Sequence, residues 1–427
     1  MERYKGIKWY IGRNGTYWYS GNPVAGTGFV HSDLISANPR TPIDGLVPLF
    51  YNATGGATQQ FSVNFGQQPL SYTPPTGYKT INSKNLPIHS PSVLKPQKHF
   101  NTVIYTGTGS SRIIESGFNP GLVWCKSRSV NGGQHFLSDS VRGVGKLMQA
   151  ETNGAEYDAA GNGINANGAI WGGGVGVNGN GSTYVNWFWK AGGAAVTNND
   201  GGIASSVSVN TEVGFSIGTF SGTGSTNTVG TGLDNTKVVI LKNRSTGSTN
   251  WVFYHKIIDG SYDYLYLNLQ NANANSALSH TMTNTFKVGS NNDTNASGSN
   301  YVFYAWSEIP GYSKFGSYVG NGNANGTYVH VGFRPAWVMV KRYDGGGQGW
   351  NIFDNKRNTF NLVDEFLIAN SNNAEATGSA LNLDFLSNGF KFRGTDGGSN
   401  ASGSNYIYMA FAEQPGITPY DTQTNAR

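Results

Sequence analysis

The sequence predicts an all-β protein: three tandem β-sandwich repeats of jelly-roll type, preceded by a partial sandwich. Three observations carry that expectation. Sixty of the 427 residues are glycine, about twice the usual share, and each interior glycine costs a helix roughly 1 kcal/mol against alanine. Aromatics make up 13% of the chain, with 23 Tyr, 22 Phe and 10 Trp, side chains that suit a pleated surface better than a helix face. One module-length pattern then recurs three times.

The recurring pattern spans 100–192, 215–311 and 315–416, or 93, 97 and 102 residues, a length fitting a sandwich rather than a solenoid coil. Each copy opens on an aromatic residue and a glycine-rich turn: FNTVIYTGTGS from Phe100, FSIGTFSGTGS from Phe215, FGSYVGNGNA from Phe315. An apolar strand ending in basic residues follows: GFNPGLVWCKSR from Gly117, GLDNTKVVILKNR from Gly232, GFRPAWVMVKRY from Gly332. A third aromatic strand lies near Phe136, Trp251 and Trp350. The closing strands are GSTYVNWFWKAGG, GSNYVFYAWSEIPG and GSNYIYMAFAEQPG, and NASGSNY occurs identically at 295–301 and 400–406.

Period two divides the closing strands into two faces. Val185/Trp187/Trp189, Val302/Tyr304/Trp306 and Ile407/Met409/Phe411 form a uniformly apolar face, expected to line each module's own core. The opposite face is aromatic but mixed. From it Tyr301, Phe303, Tyr406 and Tyr408 are expected at module or subunit contacts, which favours a homo-oligomer, a trimer foremost. The boundaries that follow are 1–85, a partial sandwich; 86–99, a proline-rich linker; 100–193, the first module; 194–212, a linker or extra hairpin; 213–311, the second; and 312–427, the third with its tail. Only 141–150 carries a hint of helical spacing.

Composition excludes several classes. The charged fraction is 12% and the formal net charge +5, without any run of Lys or Arg, so no nucleic-acid partner is expected. No apolar stretch reaches the 18 residues of a membrane span, and the start lacks the apolar segment of a signal peptide. The single Cys125, inside Leu122-Val123-Trp124-Cys125, reads as a small buried hydrophobe.

The chemistry-bearing motifs are few. Neither a G-x-S-x-G elbow nor a phosphate-binding G-x-x-x-x-G-K-[ST] occurs, and Gly174 to Gly179 matches G-x-G-x-x-G only within a low-complexity loop. Histidines 31, 89, 99, 135, 255, 280 and 330 never take metal-ligand spacing, and no cofactor is expected. Asp293 to Gly298 resembles the start of a calcium loop, but Tyr304 stands where the closing glutamate belongs, so a turn is the expectation. Asp139-x-x-Arg142 and Asp354-x-x-Arg357 are read as turn-capping aspartates, each paired with its own arginine. A glycosidase would need two convergent carboxylates. His135 and Asp139, on one strand face, would stand about 13 Å apart. No catalytic and no metal residues are therefore assigned. Trp171, flanked by glycines, is the single candidate for stacking on a ligand.

One resemblance is specific. Trp9-x4-Asn14-Gly15-x2-Trp18-Tyr19-x-Gly21-Asn22-Pro23, followed by VNFGQQPLSYTPPTGYK from Val63, resembles the C-terminal half of a SPRY domain, a concanavalin-like sandwich. A full SPRY domain is longer than this stretch, so the resemblance starts inside that fold. NLP…KP…FNTVIYTGTG from Asn85, GFNPGLVWCKSR and YVNWFWKAG are similar to the linker and tandem modules that follow a SPRY half in proteins of marine tailed phages. The resemblance implies a virion structural protein of tail-fibre type, assembled in the host cytoplasm and displayed on the particle surface. Its expected partners are other virion proteins and a host-surface glycan held by repeated weak sites. The alternatives are a head-decoration or head-fibre protein, a cellular filament or adhesin subunit, and a polysaccharide-degrading tailspike.

Overall fold

In a computed structural model the chain forms two compact units, 1–89 and 90–427. The described residues are four short strands of the first unit and residues 93–415, except 379, of the second. In the first unit Ile7–Trp9 (β1) pairs with His31–Asp33 (β4), and Gly12–Arg13 (β2) with Thr16–Tyr17 (β3), both antiparallel. The rest of the SPRY-like stretch lies outside the described residues. In the second unit every named element but one 3-10 turn, Pro96–Lys98, is a strand.

The first module contributes Phe100–Thr106 (β5), Arg112–Glu115 (β6), Leu122–Ser127 (β7), His135–Asp139 (β8), Lys146–Gln149 (β9), Tyr157–Asp158 (β10), Gly163–Asn165 (β11), Gly168–Trp171 (β12) and Thr183–Trp189 (β13). Residues 194–212 are an extra hairpin, Val196–Asn198 (β14) and Ser205–Asn210 (β15). The second comprises Phe215–Ser221 (β16), Asn227–Gly230 (β17), Thr236–Asn243 (β18), Val252–His255 (β19), Asp263–Tyr266 (β20), Ala274–Asn275 (β21), Thr285–Val288 (β22) and Asn300–Ser307 (β23). The third comprises Ser313–Val319 (β24), Tyr328–His330 (β25), Phe333–Arg342 (β26), Trp350–Asp354 (β27), Glu365–Ile368 (β28), Ala376–Thr377 (β29), Leu383–Leu386 (β30), Gly389–Phe392 (β31) and Asn405–Pro415 (β32).

Three large antiparallel sheets share one strand order: β5-β13-β7-β8-β9-β10, β16-β23-β18-β19-β20-β21 and β24-β32-β26-β27-β28-β29. Each closing strand sits between the first and third strands of its module. The hairpin β14–β15 extends the second sheet beyond β16. A small sheet (β6-β12-β11, β17-β22 or β25-β31-β30) covers one face of each large one. These are sandwiches, as the alternating pattern requires.

The two faces of the closing strand are exchanged relative to expectation. Tyr301 and Phe303 pack with Phe286 and Val288 inside the second sandwich, and Tyr406 and Tyr408 with Phe385, Phe390 and Phe392 inside the third. They therefore occupy no contact between modules or subunits, and the motive they supplied for a trimer is met within one chain. The other face does the joining. Trp187 and Trp189, Tyr304 and Trp306, and Met409 and Phe411 enter one continuous core shared by all three modules. Alternation could not assign the faces because both are rich in aromatic side chains, and it says nothing of which side the small sheet covers.

Three further readings are corrected. The stretch 141–150 is a turn followed by β9, since its apolar residues Leu147 and Met148 point to opposite sheet faces. Phe315 is the counterpart of Thr102 rather than of Phe100, because Phe100 stands opposite Trp189 while Ser313 stands opposite the equivalent Phe411. Within 86–99, Val93 is buried in the shared core and Pro96 is buried as well, so this part packs rather than bridges.

Candidate functional site

The seams where one large sheet meets the next concentrate the polar chemistry of the molecule. At the start of the fourth strand of each module, or one residue before it, an aromatic nitrogen reaches across a seam to the last carbonyl of a fifth strand. The Nε1 of Trp251 donates to Gln149 O at 2.9 Å, and that of Trp350 to Tyr266 O at 3.0 Å. His135 holds the same position and lies 3.0 Å from Ile368 O. Its Nδ1 accepts from Trp124 Nε1 at 2.9 Å, so the proton sits on Nε2. Burial keeps this imidazole well below the ordinary histidine range, hence neutral. The contacts run from second to first, third to second and first to third module, and so close a ring.

Two seams carry a buried ion network. At the seam of modules one and two, Asp139 Oδ1 accepts from the backbone N–H of Val141 and Arg142 at 3.1 and 2.8 Å. Its Oδ2 pairs with Arg142 Nε at 2.5 Å and accepts from the hydroxyl of Tyr304 at 2.8 Å. Arg142 goes on to Glu156 at 3.0 Å, and Glu156 to Arg244 of the second module at 2.8 Å. At the seam of modules three and one the same parts recur. Asp354 takes Arg357 Nε at 2.6 Å and Trp187 Nε1 at 3.0 Å. Arg357 meets Glu375 at 2.9 Å, and Glu375 meets Arg128 of the first module at 2.6 Å. Burial alone would raise the Asp354 carboxyl, but the Arg357 charge and its hydrogen bonds outweigh that and hold it below the ordinary value.

The third seam lacks the aspartate–arginine–glutamate network. His255, Ile258 and Asn273 stand where the others have aspartate, arginine and glutamate, with Tyr343 and Met409 facing them. His255 Nε2 bonds Asn273 Oδ1 at 3.0 Å, and burial pulls the imidazole down to about 4. The backbone bond beside the network survives at every seam: Glu156, Asn273 and Glu375 donate to Arg244, Tyr343 and Arg128 O at 3.1, 2.8 and 2.7 Å. Charge disappears from both sides together, because an arginine left without its carboxylate would cost several kcal/mol.

At both aspartates the geometry is that of a capped, buried ion pair. Asp139 and Asp354 lie in different seams, each caps the turn after its strand, and each has both oxygens engaged by donors. Among the described residues no three His, Cys, Asp or Glu side chains gather as metal ligands, and no helix is long and apolar enough to cross a membrane.

Trp171, the candidate for ligand stacking, is corrected. It has no exposure and packs with Ile114, Phe136 and Phe188 between the first module's two sheets. Of the glycines that follow it, Gly173 marks close packing, since a Cβ there would stand 2.1 Å from Gly109 O. Cys125 is buried, and burial raises its thiol to about 12. Asp293 accepts from Asn250 N at 2.7 Å, as a turn residue.

One set of residues was missed in sequence. Asn178, Asn295 and Asn400 are fully buried clamps between the opening and closing loops of their modules. Their Oδ1 atoms accept from the N–H of Thr108, Thr223 and Asn321 at 3.1, 2.8 and 3.0 Å. Their Nδ2 atoms donate to the carbonyls of Ser110, Ser225 and Asn323 at 2.6, 2.5 and 3.0 Å. Six positions on, the hydroxyls of Tyr184, Tyr301 and Tyr406 accept from Gly179, Ala296 and Ala401 N at 2.8, 2.7 and 2.9 Å. The constant Asn-x5-Tyr spacing was the available signal.

Fold and seams together define a class: a single chain whose three like sandwiches close on one another around a shared aromatic core. By its sequence the chain belongs to the family described as a domain of unknown function (DUF7483), whose profile matches residues 95–415, three quarters of its length. No curated protein and no solved structure matches it.

Proposed function

We propose that this chain is a non-catalytic structural protein of a bacteriophage particle, a tail-fibre or other appendage subunit that contacts a host-surface glycan. The observation that carries the reading is the closed ring of sandwiches. Its strong ion pairs are used to join modules, and the ring is made without a disulfide, a construction suited to assembly in a reducing cytoplasm. The resemblance to marine tailed-phage proteins points the same way. In this reading the shared-core unit stands where three separate chains would otherwise meet.

The test is localisation. Antibody raised against the purified chain, applied to density-purified particles under the electron microscope, is expected to label an appendage. Label on cells or culture supernatant with bare particles would overturn the proposal. New reducing ends appearing when the chain is incubated with host polysaccharide, and lost in Asp139→Ala, would make it an enzyme.

A further inference from the structure

The outer edges of the three sandwiches are finished in different ways. β5, β16 and β24 are equivalent first strands: Thr102, Ile217 and Phe315 stand opposite Trp187, Tyr304 and Met409 of the closing strands. In the second module the chain covers this edge itself. Ser206 to Asn210 pair with β16, and just before them Ile203 bridges Val229 on the small sheet's edge strand β17. In the first and third modules no described strand lies beyond β5 or β24.

The open edge of the first module is more apolar than the covered edge of the second. Ile104 on β5 and Ile113 on β6 are 42% and 44% exposed. The counterpart of Ile104 is Thr219, since Ile104 stands opposite Val185 and Thr219 opposite Val302. That of Ile113 is Thr228, each preceding the buried residue of its edge strand, Ile114 or Val229. Solvent-facing edges are ordinarily blunted by lysine, proline, glycine or a bulge. β24 carries Lys314 and Gly316. β5 carries no charge, proline or glycine, and its register with β13 is unbroken over seven residues. Arg112 reaches the Thr106 carbonyl at 3.2 Å, at the strand's end, and leaves that oxygen a second lone pair.

We propose that the β5 edge binds the β5 edge of a second copy of this chain, antiparallel about a two-fold axis at Ile104. Sequence and hydrogen-bond phase both fit. In Thr102-Val103-Ile104-Tyr105-Thr106 such an axis sets Ile104 against Ile104, Val103 against Tyr105 and Thr102 against Thr106. Aromatic with β-branched and Thr with Thr are pairs that stabilise antiparallel ladders, and no like charges meet. Gly107 N donates to Ser182 O, and His99 O accepts from Lys190 N, so the odd-numbered residues direct their backbone groups to β13. Alternation leaves the N–H and C=O of Thr102, Ile104 and Thr106 pointing outward, and these are the residues that the axis pairs with one another. The six-stranded sheets of two copies then run on as one, and Ile104 leaves water. A contact of this isologous kind closes at two copies. It does not depend on where the protein acts, so particle labelling has no bearing on it.

Sedimentation equilibrium of the full chain over a concentration series tests the contact. A dimer is expected. Ile104→Lys sets two ammonium groups against each other at the axis and is expected to weaken association about tenfold or more, with the circular dichroism spectrum unchanged. A second substitution reports the register. Ile104→Cys is expected to give a disulfide-linked dimer on oxidation, because hydrogen-bonded cross-strand partners have Cα atoms about 5.5 Å apart. Ser317→Cys, at the equivalent place on β24, is expected to stay unlinked. The native Cys125 is buried and does not compete. A chain that is monomeric at every concentration overturns the contact, and would leave the edge to a different polypeptide or to none. An oligomer whose mass Ile104→Lys leaves unchanged, or linkage in Ser317→Cys but not in Ile104→Cys, overturns it as well.

Discussion

Lys126, Lys242 and Lys341 occupy equivalent buried positions, and each donates to carbonyls instead of a carboxylate. Lys126 reaches Gly133 O at 2.6 Å and Asn373 O of the third module at 2.7 Å; Lys242 reaches Thr249 O at 2.5 Å and Asn153 O of the first at 3.3 Å. Lys341 Nζ donates to Arg342 O at 2.8 Å. Burial lowers all three from 10.5 to about 8. The unfolded chain keeps these protons to near pH 10.5, whereas the folded chain releases them near pH 8. Between those values the unfolded state binds more protons, so the three lysines make stability rise with pH; below about pH 8 their contribution is constant. Calorimetry at about pH 8, 9 and 10 should show this rise, and Lys242→Met should remove about a third of it. A rise undiminished in the variant would show that other groups cause it. In sequence the basic end of each third strand was visible, but its burial was not, because lysine is almost never buried alone.

At the scale of elements, the glycines of the opening turns are set by the clamp rather than by turn flexibility. A Cβ on Gly107, Gly222 or Gly320 would stand 2.1, 2.1 or 2.3 Å from the carbonyl oxygen of Gly179, Ala296 or Ala401. Gly298, in the closing turn, has open space around it and φ of +75°. Gly222→Ala is therefore expected to cost about 1–3 kcal/mol or more through overpacking, and Gly298→Ala only about 1 kcal/mol through strain at positive φ. Urea denaturation gives both values, and equal losses would contradict the clamp. The strands, their alternation and the repeated opening and closing motifs were legible in sequence because each is a local pattern. The clamp joins loops some 70 residues apart, and the choice of inner face depends on what covers each sheet, so neither was.

For the molecule as a whole, the shared core couples the modules. Trp189 contacts Trp306 at 6.5 Å and Trp337 at 5.8 Å, rings contributed by all three. An isolated module would expose its large-sheet face, losing about 1.5–3 kcal/mol for each large apolar side chain left in water. Residues 90–415 should consequently unfold in a single calorimetric transition, and residues 100–192 expressed alone should show no cooperative melt. Three resolved transitions would mean that the modules are independent and the shared core contributes little. The length and order of the modules could be read from repeats; their closure into a ring could not, since it rests on contacts as distant in sequence as His135 with Ile368, 233 positions apart.

The covalent link between the three sandwiches also changes what mutation can do. In an assembly of three identical subunits every substitution is made three times, so a change that opens one interface opens all of them. Here a threonine for an isoleucine at position 102 alters one seam while two keep their apolar filling. Fusion into one polypeptide lets symmetry break locally: two interfaces hold the ring shut, and the third is free to diverge.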